Sequence, residues 1–248
     1  MQVQLGFSTG ALYQTNFDLV DKVGIIREAG YQAIELSFLR PKEFNETEVR
    51  KLLVYGSRYL KYFNFVSLHA PEYGYDFDDT TREIFELINW LNNEGRHLDL
   101  VVFHPHTVVN FDVFHLPAFR IAFENMDYRK VTFGKVSDMK TVLDKKESFA
   151  MVLDVMHAYS NDPMLKLVAD FYQKLGRRIA AVHLSGYADG HHAPLFQTGQ
   201  VEIIRAVQDL SIPPSFGVPV IVESVLATKE ELRQERGYIL QAINGIGQ

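Results

Sequence analysis

The chain's 248 residues, 47% hydrophobic and 23% charged, exclude a disordered or fibrous protein and suffice to bury a core without staples. With no cysteine there is no disulfide framework and no thiolate metal site, so any metal must be held by His, Asp and Glu. The net charge of −6 argues against an electrostatic grip on duplex DNA; with no apolar run near membrane-span length and no basic-then-apolar start in MQVQLGFSTG, a cytoplasmic protein without a membrane partner is expected.

Residues 3–8, VQLGFS, predict a strand. Residues 16–30 predict a helix with an Asn cap, apolar Phe17, Val20, Val23 and Ile26, and a stop at Gly30. A strand at 33–38 leads to a helix at 47–62. A strand at 65–70 leads to a helix at 80–93, where Ile84, Leu87, Ile88 and Leu91 recur at helical spacing. The strand at 98–104 enters a connection, 105–118, that is short and poor in helix signals. Strands at 119–125, 149–155, 178–184 and 218–224 follow, with helices at 136–145, 163–175, 200–210 and 229–243. No Pro-, Gly- or Ser-rich linker divides the chain. The strands are short and apolar on both faces, as buried parallel strands are. Eight β/α units in about 250 residues is the size of a (β/α)8 barrel. A single TIM-barrel domain over residues 1–248 is therefore expected, with a doubly wound open sheet as the alternative.

Active sites of such barrels form at the C-terminal ends of the strands. Here the third to eighth strands end in His69, His104, Glu124, Asp154 (with His157 three residues on), His183 and Glu223. The loop after the seventh strand, ADGHHAPLFQTG, adds Asp189, His191 and His192. One such residue alone is ordinarily a hydrogen-bonded strand end or a helix cap; so many together need a common cause. Carboxylates converging without a Lys or Arg resist joint ionisation, and a divalent cation removes that cost. Oxygen and nitrogen donors without sulfur suit Zn, Mn, Fe, Co or Mg, and the imidazoles argue against Mg or Ca alone. The nine candidate ligands are His69, His104, Glu124, Asp154, His157, His183, Asp189, His191 and Glu223. They exceed the coordination of one ion and suggest two or three, an arrangement suited to phosphoryl chemistry.

These residues resemble the xylose-isomerase-like barrel superfamily, and within it most closely the endonuclease IV family of abasic-site endonucleases (AP endonuclease family 2). The resemblance spans HAP at 69–71, FHP at 103–105, EN at 124–125, LDVMHAY at 153–159, HL at 183–184, DGHH at 189–192 and PVIVES at 219–224. It implies that all nine candidates are ligands of three zinc ions, with Asp189 and His191 on a strap over the cluster and His192 a neighbour, not a ligand. The departures fall on the DNA-handling parts. Glu72 stands where the family typically has a tyrosine, with Tyr73 one further on, and MDYRK at 126–130 replaces a Thr-Ala-Gly-type loop. Only Thr198-Gly199 remains of a Gly-rich segment, and the fourth connection is short. The expectation is a phosphoester hydrolase with two or three Zn or Mn ions, acting on a small or sugar-phosphate substrate rather than abasic DNA. The alternative from the same superfamily is a sugar or sugar-phosphate isomerase or epimerase. It would hold one Mn, Co or Mg on Glu124, Asp154, His183 and Glu223, with the two glutamates moving a proton beside a metal-polarised carbonyl. Glu124 and Glu223 are the catalytic candidates in either reading.

Glu35, Tyr73, His106, Arg129, Lys130 and His192 are candidate substrate contacts; Glu35 is equally explained as a cap or salt bridge, His106 as a residue behind the ligands, and Arg129 and Lys130 as surface charges. Tyr73, Tyr75 and Phe77 form an aromatic loop after His69 suited to stacking or to covering the barrel mouth. His97 and His115 read as solvent-exposed and Trp90 as core. The oligomeric state is left open.

Overall fold

The computed structural model describes residues 3–209 and 218–245. Its strands are β1 (Leu5–Ser8), β2 (Ala33–Ser37), β3 (Phe65–His69), β4 (Leu100–Phe103) and β5 (Ile121–Glu124), then β6 (Ala150–Asp154), β7 (Ile179–Leu184), β8 (Gly186–Ala188), β9 (His191–Ala193) and β10 (Val220–Val222). Eight of them close into a parallel barrel in the order β1–β10–β7–β6–β5–β4–β3–β2, as the alternation of elements predicts; β8 and β9 form a separate antiparallel hairpin. No helix among the described residues is long and apolar enough to cross a membrane.

Side chains alternate across a strand, so residues two apart share a face. Ala122 shares a face with Glu124, Ala150 and Val152 with Asp154, Ala181 with His183, and Ala33 with Glu35. Leu100, Val102, Ala122, Ala150, Val152 and Ala181 form a small apolar cluster inside the barrel, and the polar side chains stand above it at the C-terminal ends. The barrel floor admits only small residues in places: a Cβ on Gly6 would lie 2.5 Å from Ile221 and 2.7 Å from Ala33. The opposite strand faces, such as Phe103, Phe123, Met151 and Leu153, join the large core under the helices.

The connections refine the sequence expectations. The first helix is Leu19–Glu28, and its cap is Asp18, which accepts from the Asp21 amide at 2.8 Å, in place of Asn16. The predicted 47–62 helix is interrupted by a wider turn at Leu52–Gly56. The predicted 163–175 helix begins at Lys166, because a separate helix, Val155–Asn161, starts directly off β6 with Asp154 as its cap. The predicted 200–210 helix is Val201–Asp209, and Leu210 lies outside the described residues. In place of a fourth helix there are two short 3-10 turns, Pro105–Thr107 and Phe111–His115. Aromatic packing covers the gap: Phe114 meets Phe103 at 4.7 Å and Phe123 at 5.2 Å between ring centroids.

Candidate metal centre

The barrel mouth opens into a cavity of about 510 Å³ lined by His69, His104, Glu124, His157, His192 and Glu223, among others. Glu124, almost fully buried, is its hub. Its Oε2 lies 3.3 Å from His69 Nε2, 3.5 Å from His104 Nε2 and 3.4 Å from His183 Nδ1, and its Oε1 lies 3.1 Å from His157 Nδ1. The rings are anchored by their other contacts. His69 Nδ1–H donates to the Ala70 carbonyl at 3.2 Å, and His104 Nδ1–H to Glu72 at 2.9 Å. His157 Nδ1–H donates to the Asn125 carbonyl at 2.8 Å. Asn125 also ties β5 to β6: its side chain accepts from the Asp154 amide at 2.8 Å and donates to the Asp154 carbonyl at 2.9 Å.

Ligand atoms of Glu124, Asp154, His183 and Glu223 all lie within 4.8 Å of one another; so do those of His69, His104 and Glu124, and those of Asp154, His157 and His192. Two atoms of the four-residue group, Asp154 Oδ2 and His183 Nδ1, are buried without a hydrogen-bond partner. An orphaned buried polar atom is costly, and two of them within one group of four candidate ligands suit a cation. The oxygen and nitrogen donor set fits a divalent ion of the Mn, Co, Zn or Mg type.

The electrostatics follow from crowding. Burial opposes ionisation of Glu124, but attraction to His183 and the hydrogen bonds of His104 and His157 outweigh it and hold the carboxyl well below its usual range. Burial also opposes charge on the imidazoles. Asp154 and Glu124 nonetheless raise His157 to about 10, and Glu124 and Glu72 raise His104 to about 9. His183 is likewise raised, by Glu223, Glu35 and Glu124 against its own burial. Asp154 is pushed up, chiefly by burial. Burial dominates at His192, lowered to about 4, and at His106, where His104 and Lys130 add to it and the value is also about 4.

The loop after β7 is where sequence and structure part. Asp189 and Gly190, at φ +49° and +79°, form the two-residue turn between β8 and β9, the left-handed pair that an Asp-Gly hairpin turn uses. Ala188 then pairs with His191 and Tyr187 with His192, so the two histidines face opposite ways. His192 turns inward, its Nδ1 2.8 Å from Ser185 Oγ and its ring 5.2 Å from that of His157. Asp189 and His191, expected as ligands, are exposed and belong to none of the three groups; His192, expected as a neighbour of the cluster and a substrate contact, belongs to the third.

Two expected substrate contacts also lie elsewhere. Glu35 is fully buried beneath His183 and does not line the cavity. Tyr73 donates its hydroxyl to Asp78, the cap of the Asp79–Glu94 helix, at 2.8 Å. Tyr75 is buried in the aromatic core, and Phe77 is exposed away from the mouth. His106, Arg129 and Lys130 do line the cavity, although Arg129 is already paired with Asp127. Sequence reasoning missed Glu72 as the partner of His104, and Ser8 and Ser37 as cavity walls. His97 and His115 are exposed as expected, and Trp90 packs half-buried against the core.

The chain matches no protein-family model and no curated protein. Solved structures do resemble it. A D-tagatose 3-epimerase-like protein superposes with a TM-score of 0.71 at 15% identity, over 99% of this chain and 98% of that one. A probable 3-DHS dehydratase from Bacillus anthracis gives 0.66 at 15% identity, over 96% and 99%. A xylose isomerase domain-containing protein from Salmonella typhimurium gives 0.63 at 12%, over 97% and 98%. The fold is thus a TIM barrel similar to those of epimerase-like and xylose isomerase domain proteins, in keeping with the resemblance suspected from the strand-end motifs; at these identities the likeness speaks to the fold alone.

Proposed function

We propose that this chain is a metal-dependent isomerase or epimerase acting on a small sugar or sugar phosphate. The observation that carries this reading is the convergence of Glu124, Asp154, His183 and Glu223 within 4.8 Å, Asp154 and His183 with orphaned buried atoms and Glu124 and Glu223 lining an open cavity. The reading reverses the order of the two sequence expectations. The hydrolase reading drew its weight from an excess of ligands, and Asp189 and His191 stand apart from the cluster. Fold neighbours described as sugar epimerases support the same choice.

A divalent ion on these four residues would polarise a carbonyl or hydroxyl of the substrate. The chain's own residues then divide the remaining work. Glu124, enclosed by four imidazoles, is held in place as a ligand. Glu223 keeps 16% of its side chain open toward the cavity and is the better placed to take a proton from a substrate carbon and return it. His192 stands 4.0 Å from it and, with His157, lines the cavity for the substrate's hydroxyls, while Lys130 and His106 line the same cavity, where an anionic substituent would sit. The test is solvent deuterium incorporation into a panel of ketoses and ketose phosphates with Mn, Co or Mg supplied. Exchange beside the carbonyl, lost in Glu223→Gln, is expected. Phosphoester cleavage without exchange would refute the proposal.

One observation keeps the multinuclear hydrolase as a second reading. His69 and His104 bring their Nε2 atoms to 3.1 Å of each other, both beside Glu124 Oε2, and this group shares Glu124 with the four-residue set as a bridging ligand would.

A further inference from the structure

An imidazole presents only one nitrogen to a metal, and the hydrogen bond made by the other nitrogen decides which. His69, His104 and His157 anchor Nδ1. His183 is the reverse case. Its Nε2 lies 3.2 Å from Glu35 Oε2, and its Nδ1 is the orphaned atom, 3.4 Å from Glu124 and 3.3 Å from Glu223. Glu35 is held as firmly as it holds. Ser8 and Ser67 are its direct cross-strand neighbours on β1 and β3. Ser8 donates to its Oε1 at 3.2 Å and Ser67 to its Oε2 at 3.2 Å. The contact to His183 then crosses the barrel from β2 to β7. Glu35 has no exposed surface and is not a cavity wall, so it cannot touch a substrate. Burying a lone carboxylate this deeply is expensive, and its partners must compensate.

We infer that Glu35 is a positioning residue: it accepts the Nε2–H of His183 and so fixes the ring with Nδ1 turned toward the centre. The inference rests on the four-residue centre proposed above only for its effect on metal binding; the orientation of the ring stands independently of any metal. It leaves Glu35 no contact with the substrate, which is how it differs from the contact expected from the sequence.

Two measurements test it. In nitrogen-15 spectra of chelated wild-type protein, the His183 Nε2–H proton should be shifted downfield and protected from exchange with water, and in Glu35→Gln that protected signal should be lost. In competition titrations with a chelator, Zn2+ or Mn2+ should bind Glu35→Gln roughly 10–100-fold more weakly than wild type at unchanged stoichiometry, the range for loss of an outer carboxylate partner. Ser67→Ala, which frees the same carboxylate oxygen but keeps its charge, should weaken binding in the same direction by a smaller factor. The inference is overturned if His183 Nε2 is bare or exchanges freely, or if both variants bind metal as wild type does. Wild-type protein that takes up no metal would defeat the proposed function, while a protected Nε2–H in that same protein would still support the role of Glu35.

Discussion

Removing His69 separates one ion from several. The side chain is nearly buried, and its Nε2 lies 3.3 Å from Glu124 Oε2 and 3.1 Å from His104 Nε2. It belongs to one ligand group, with His104 and Glu124, and not to the set of Glu124, Asp154, His183 and Glu223. In His69→Ala the four-residue set keeps all its donors, and Glu124 keeps three of its four imidazole neighbours, at 3.5, 3.4 and 3.1 Å. His69 then acts only as a neighbour of a ligand, and its loss should weaken metal binding by about tenfold, the lower end for such partners. The cost to folding should be about 1–3 kcal/mol, as for loss of a buried polar contact. The assay is metal content by mass spectrometry together with chelator competition, on wild type and variant purified alike. One ion per chain in both proteins, with modestly reduced affinity in the variant, is expected. Two ions in wild type falling to one in His69→Ala would refute the single-ion centre and restore the hydrolase reading.

Asp154→Asn should lower metal affinity and catalytic turnover by a hundredfold or so, roughly the loss seen when one anionic group leaves such a site; wild-type metal binding in this variant would remove Asp154 from the centre. His192→Ala should lower turnover while His191→Ala leaves it unchanged, since only His192 faces the cavity; equal effects in a kinetic comparison would mean that the hairpin register is wrong. Chelation should abolish activity yet leave the circular dichroism of the barrel intact, because the apolar core lies below the ligands. Stability of the chelated protein should be fully supported by His104 and His157 below about pH 6.5. That support should fade as pH rises through their raised values of about 9 and about 10. Thermal melts at pH 7 and pH 10 check it, and a chelated protein as stable at the higher pH as at the lower would count against the raised values.

The barrel and most of the site were legible because two periodicities coincide. Short strands apolar on both faces mark a buried parallel sheet, and the first polar residue after each run falls at the C-terminal end, where Glu124, Asp154 and His183 stand. Depth was less legible. Glu124 is the last residue of its strand, but Glu35 is the third of five in Ala33–Ser37, so its side chain sits lower in the barrel, under His183 rather than in the cavity. The hairpin carried a signal that was not used. Asp-Gly is a strong two-residue turn pair, but its flanks, Gly-Tyr-Ala and His-His-Ala, lack the apolar alternation that announces a hairpin. Once the turn is fixed, the period of two allows only one of two adjacent histidines to face inward. Glu72 looked like a loss of DNA contact; its position beside His104 depends on how the chain leaves β3, which residue types alone do not specify.

The same crowding sets how protons and a metal would share these ligands. Glu35, Glu124, Asp154 and Glu223 bring carboxylates into one low-dielectric space, where joint ionisation is opposed by mutual repulsion. Protons on His104, His157 and His183 offset that repulsion, which is why all three imidazoles are raised against the pull of their own burial. A divalent cation neutralises the same carboxylates and requires its imidazole ligand to be unprotonated. Protons and metal therefore compete for one set of groups. His183 is where the competition is sharpest, since its free nitrogen faces Glu124 and Glu223 while Glu35 keeps the other nitrogen occupied. Metal affinity should accordingly rise with pH across the neutral range, and the barrel below, packed from Leu100, Val102, Ala122 and Val152, should keep its fold with either cation bound.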